Sequence, residues 1–174
     1  MPKNSIDGYI KWITPTAGDP TYSLLKAHLL FEELLRAYLK RMMANPDALD
    51  GARLSFAQVL AVARACAPKS VSDHWSWTAI EELNKLRNML AHQTTPKNLT
   101  ERLNAYVKFI TDNSQPLPEP SANLDASANP HDVGYFFSIV DMVTVGLYCT
   151  TSGVLGFNID DWFIREEEQL VKVK

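Results

Sequence analysis

Residues His74 to Gln93 read HWSWTAIEELNKLRNMLAHQ. Apolar side chains return every three or four residues, at Ile80, Leu83, Leu86 and Leu90. At 100° per residue, with Trp77 at zero, these four fall between about 180° and about 300°. One helix with a single apolar face is therefore expected, capped by Ser72 or Asp73 and unable to run undisturbed through Pro96. Arg87 interrupts the pattern, because its wheel position of about 280° lies inside the apolar arc. Asn88 and His92, at about 20° and about 60°, lie on the neighbouring polar side with Glu81 and Lys85. A guanidinium among leucines needs a carboxylate, an interface or an anionic ligand. Glu32 and Asp141 are the candidate carboxylates for an internal ion pair, with His92 then favoured at the negative end of the helix.

The flanking sequence has the same helical character. Asp19-Pro20 reads as a cap followed by proline at the first helical position, opening a helix over roughly Pro20 to Ala44. Its apolar face runs from Leu24 through Phe31 and Leu35 to Met42, and His28 and Glu32 share that arc. Asn45-Pro46 ends it. Ser55 caps a second helix, FAQVLAVARACA, which Pro68 stops. After the helix already described, a fourth spans about Pro96 to Thr111, with Leu99, Leu103, Tyr106 and Ile110 on one side. A fifth is expected within Val133 to Phe157. The fold class is all-α, an antiparallel bundle of about five helices.

Residues 1–18 form an irregular arm, and 19–174 a single helical domain with a proline-rich loop at about 112–130. The last residues, from Asp160, fit either a short helix or a strand. The length of 174 residues suits one domain with a proper core.

The apolar stretch Val133 to Phe157 is long enough to span a bilayer. It carries Asp141 in its middle, at a cost of roughly 2.5–3.5 kcal/mol in a membrane, and has acidic flanks with no Lys or Arg anchor. Ser138, Asp141 and Thr144 form a polar stripe every three residues, so a buried or interface helix is expected, not a membrane span. The opening MPKNSIDGYIKW has no apolar leader, and Cys66 and Cys149 stand far apart in apolar surroundings. Both features fit a reducing cytoplasm.

The chain has no zinc-ligand spacing, glycine-rich phosphate loop or GxSxG, so neither a metal nor a cofactor is expected. The net charge of −3 does not advertise a nucleic-acid binder. Its distribution is uneven. Lys26 to Lys108 holds 12 Lys and Arg against 8 Asp and Glu, a surplus of +4, whereas Thr111 to the end holds 3 against 10, or −7. An anionic ligand belongs to the first section.

Arg87-Asn-Met-Leu-Ala-His92 resembles the R-x4-H signature of HEPN domains, including the polar residue after the arginine. The resemblance covers roughly Asp19 to Asn113, with a long first helix like LLKAHLLFEELLRAYL and the motif late in the third. It implies metal-independent endoribonuclease activity in a toxin or defence protein, at a site formed by two protomers of a homodimer. RNA is the implied substrate, with a cognate antitoxin or regulatory protein as a possible partner.

In that reading the ribose 2′-OH attacks the adjacent phosphate. His92 moves the proton, as imidazole does near neutral pH. Arg87 stabilises charge on the phosphorus, and Asn88 orients groups by hydrogen bonds. Glu32 is expected to hold the arginine in place, with Lys85 in support. Arg87 and His92 stand about 140° apart on the wheel, so a loosened last turn or a second protomer must bring them together. HEPN toxins paired with a minimal nucleotidyltransferase carry a tyrosine two residues past the histidine. Here that residue is Thr94, and modification there is not expected. The order EELNKLRNMLAH after RLSFAQVLAVARA is also similar to the mannitol-repressor family, which implies a non-catalytic regulatory or interaction module.

Overall fold

The capping predicted at Ser55 sets the start of the second helix. Ser55 Oγ accepts the backbone N–H of Gln58, and the Gln58 side chain accepts the Ser55 backbone N–H in return. This reciprocal pair satisfies two amides that a helix start leaves open. The computed structural model describes residues 20–49, 51–93, 96–114 and 133–158. Its helices are α1 (Pro20–Met42), α2 (Phe56–Cys66), the single turn α3 (Lys69–Ser72), α4 (Ser76–His92), α5 (Leu99–Asn113) and α6 (Val133–Val154), with a 3-10 turn at Pro46–Leu49. The arm, most of the proline-rich loop and the chain from residue 159 lie outside the described residues.

The five long helices fall where the periodicity puts them, and the protein is an all-α bundle. One start differs. Ser72 closes α3 instead of capping the long helix, and its carbonyl accepts Arg64 Nε. The long helix begins at Ser76, whose N–H is taken by His74 Nδ1 at 3.2 Å. Burial lowers the His74 pKa.

Leu24, Phe31, Leu35 and Leu39 of α1, Val59 of α2, and Ile80 and Leu83 of α4 meet in one core with Leu103 and Ile110 of α5 and Val143 and Leu147 of α6. Shortening such a buried leucine to alanine costs about 2–5 kcal/mol.

Helix α6 runs alongside α1 in the same direction. Asp141 lies by Ser23, Tyr148 meets Phe31 edge-on at 5.4 Å, and Arg41 donates to the carbonyls of Leu155 and Gly156. The 19 residues between Asn113 and Val133 are long enough for this parallel return, whereas only six separate His92 from Leu99.

Of the polar stripe of α6, Thr144 is buried and Asp141 half-buried. Thr144 donates to Val140 O at 2.7 Å, leaving its oxygen to accept the Tyr106 hydroxyl at 3.2 Å. Val140, Val143, Leu147 and Tyr148 are buried, and Met142 is exposed. From Ile139 onward, α6 packs into the chain's own core. Among the described residues no helix is long and apolar enough to cross a membrane.

Candidate functional site

Helix α4 remains regular to His92, and Gln93 closes it by donating its N–H to Met89 O at 3.1 Å. The last turn is therefore not loosened, and the angular offset between Arg87 and His92 persists. Arg87 is half-buried on the side of α4 that meets α1, and His92 is exposed on the side that meets α5.

On the α1 side, His28 is buried and lies 4.0 Å from the Phe56 ring, centroid to centroid. It donates Nε2–H to Asn84 Oδ1 at 3.2 Å. Burial lowers its pKa most, the Asn84 bond opposes this, and Arg87 lowers it further while Glu32 raises it. Arg87 and Glu32 are thus both electrostatic neighbours of His28.

They are not partners of each other. Glu32 accepts Nε and Nη2 of Arg36, at 3.0 and 2.7 Å, and Arg36 also reaches Leu54 O. The pairing expected between Glu32 and Arg87 is therefore corrected. Arg36 sits one turn along the same helix, within immediate reach of the carboxylate. Asp141 lies by Ser23 on the α1–α6 seam, so it does not pair with Arg87 either.

Arg87 donates Nη1 to Asn88 Oδ1 at 3.0 Å, and its Nε is buried with no hydrogen-bond partner. A buried donor left open costs about 1–3 kcal/mol. Lys85 pairs with Glu82 at 2.5 Å and makes no contact with Arg87.

His92 lines a groove of about 1100 Å³ between α4 and α5. Met89, Tyr106 and Phe109 form its apolar part, and Lys97 and Arg102 stand with His92 on its basic part. The sequence reading missed Lys97, Arg102 and Phe109. The signal was present, since Arg102, Tyr106 and Phe109 follow at intervals of four and three, the spacing of one helical stripe.

Among the described residues, no three His, Cys, Asp or Glu side chains gather in a way that could hold a metal ion. Cys66 and Cys149 are both free and half-buried.

Fold and site together define an all-α bundle whose fourth helix carries, on one flank, an arginine with no ion pair among the described residues and, on the other, an accessible histidine. No family model matches the chain, and no curated protein or solved structure matches it either.

Proposed function

We propose that the chain is a HEPN-type, metal-independent endoribonuclease of the cytoplasm that acts as a toxin or defence protein. The observation that carries this reading is the state of Arg87. Its guanidinium is oriented by Asn88, has a buried Nε with no partner, and makes no ion pair among the described residues. An arginine held this way suits a phosphoryl group, whose oxygens accept from its fork of donors. His92, on the same helix and open to a groove, suits proton transfer.

In the proposed reaction the ribose 2′-OH attacks the neighbouring phosphorus and loses its proton to an imidazole. The bond to the 5′-oxygen breaks, and that oxygen takes up a proton. The products are a 2′,3′-cyclic phosphate and a free 5′-hydroxyl. Arg87 stabilises the pentacoordinate phosphorus and Asn88 keeps the guanidinium aimed.

The flanks of α4 diverge within one chain, so the site takes Arg87 from one protomer and His92 from its partner. A two-fold homodimer with these ends of α4 near the axis meets that need. The partner that restrains such a nuclease would be an antitoxin or a regulatory protein.

Purified protein incubated with RNA in EDTA tests the reading. Fragments ending in a 2′,3′-cyclic phosphate are expected from the wild type and none from His92→Ala. A second reading, a non-catalytic regulatory module, is favoured by the divergence of Arg87 and His92 within one chain. It takes over if the wild type cuts no RNA and its expression harms no cell.

A further inference from the structure

A second, smaller hollow lies where the start of α4, the end of α5 and the middle of α6 meet, apart from the groove beside His92. Its volume is about 360 Å³, within the range of about 300–1000 Å³ typical of small-molecule sites. Gly146 helps to open it, because it leaves the α6 wall without a side chain one turn before Thr150. Buried Ile110 and half-buried Trp75 supply apolar and aromatic surface. The His74 ring lies 5.4 Å from that of Trp75, centroid to centroid, at an interplanar angle of 34°.

The polar groups on this hollow have hydrogen-bonding atoms to spare. Thr144 and Thr151 of the same helix donate to carbonyls one turn back, at 2.7 Å each, whereas the Thr150 hydroxyl bonds to no described residue. The Trp75 indole N–H bonds to none either. His74 Nδ1 accepts the Ser76 N–H at 3.2 Å, which places the ring proton on Nε2. Burial holds its pKa below the ordinary value of 6.5, so the ring is uncharged at neutral pH. Asn113 donates Nδ2 to Phe109 O at 2.8 Å and keeps its Oδ1 as an acceptor. The hollow thus offers two fixed donors, one fixed acceptor, and the hydroxyls of Thr150 and Ser114 to act as either. No charged side chain stands among its described lining residues.

We propose that this hollow binds a small, flat, uncharged carboxamide, with its ring against Trp75 and Ile110 and its amide among His74, Asn113 and Thr150. A carboxamide brings a carbonyl for the fixed donors and an N–H for Asn113 Oδ1, so it matches both kinds of group at once. A carboxylate or an ammonium would enter with no opposite charge to meet it, which costs affinity. The aromatic surface favours a flat ring over a puckered one. The site is distinct from the groove that His92 lines, although Trp75 meets Phe109 of that groove edge-on at 6.4 Å. It stands whether or not the chain cuts RNA.

The test is proton–nitrogen correlation NMR of the full chain, titrated separately with benzamide, benzoate, benzylamine and cyclohexanecarboxamide. The chain has four tryptophans, and the indole signal lost in Trp75→Phe assigns that of Trp75. Benzamide should shift the Trp75 indole and Thr150 amide signals saturably, with a Kd of about 1 mM or tighter. Benzoate and benzylamine should bind at least about tenfold more weakly, and cyclohexanecarboxamide at least about threefold. Gly146→Leu, which fills the hollow, should abolish the shifts. Thr150→Val, which removes one hydroxyl at nearly constant volume, should weaken benzamide by at least about threefold with circular dichroism unchanged. The proposal is overturned if benzamide gives no saturable shift by about 10 mM, or if any of the other three probes binds as tightly. It is equally overturned if either variant, folded, binds benzamide as the wild type does.

Discussion

Arg87 donates Nη1 to Asn88 Oδ1 at 3.0 Å, a bond between sequence neighbours that leaves the positive charge without a counter-ion among the described residues. Asn88 is neutral, so the bond orients the guanidinium without neutralising it. Glu32 of α1, which like Arg87 is an electrostatic neighbour of His28, is held by Arg36. An arginine meant only to tie α4 to α1 would use that carboxylate.

Glu32→Gln should therefore matter little. Its pair with Arg36 is partly exposed, and removing it should cost less than about 1 kcal/mol by chemical denaturation. RNA cleavage should stay within about twofold of wild type, a difference of about 0.4 kcal/mol in activation free energy. Loss of cleavage in a stable Glu32→Gln protein would show that Glu32 serves Arg87 after all.

Asp141 gives a pH dependence with a definite sign. Burial on the α1–α6 seam raises its pKa to about 6, against the smaller opposing effect of Ser23. The folded state thus holds this proton more tightly than the unfolded chain, and the contribution of Asp141 to stability falls as pH rises from about 4 to about 6. Asp141→Asn should be more stable than wild type at pH 7 by about 1 kcal/mol, after discounting for partial exposure. The difference should shrink toward pH 4. A variant that is less stable at pH 7 would mean the carboxylate has a favourable partner.

The helices were legible because their apolar spacing and breakers are local. Leu83, Leu86 and Pro96 report on α4, and Ser55 with Gln58 on α2, without knowledge of any other element. The angular divergence of Arg87 and His92 was legible for the same reason. The partner of Glu32 was not, because two arginines competed for it. Arg36 wins by lying four residues away on the same helix, whereas Arg87 must reach across a packed seam. The groove was hidden because it needs α5 folded back on α4, which places Lys97, Arg102 and Phe109 opposite Met89 and His92. The short turn formed by α3 was equally hidden, since Ser72 looks like any other cap.

Arg41 ties the parallel pair together. It donates to the Leu155 and Gly156 carbonyls at the end of α6 and lies over the Phe157 ring at 4.3 Å. Arg41→Met should cost about 1–3 kcal/mol, from two lost bonds to carbonyls and the ring contact. Cleavage per folded molecule should be unchanged, because the contact lies away from α4. A loss below about 0.5 kcal/mol in urea unfolding would show that these carbonyls are equally well served by water.

Assembly is the next requirement. Light scattering at tens of micromolar, roughly the range that reveals a weak dimer, should return twice the chain mass. A strict monomer there would leave Arg87 and His92 on separate flanks with no second copy to unite them.

The central claim is that Arg87 of one protomer works with His92 of the other, and mixing two inactive variants tests it most directly. Arg87→Ala and His92→Ala proteins, each inactive alone, are unfolded together, refolded and assayed for RNA cleavage in EDTA. A mixed dimer then contains one site with both residues intact, so random pairing should restore about a quarter of wild-type activity. If the mixture stays as inactive as its parts while native mass spectrometry shows that mixed dimers form, the two residues do not act across the interface, and the account is contradicted.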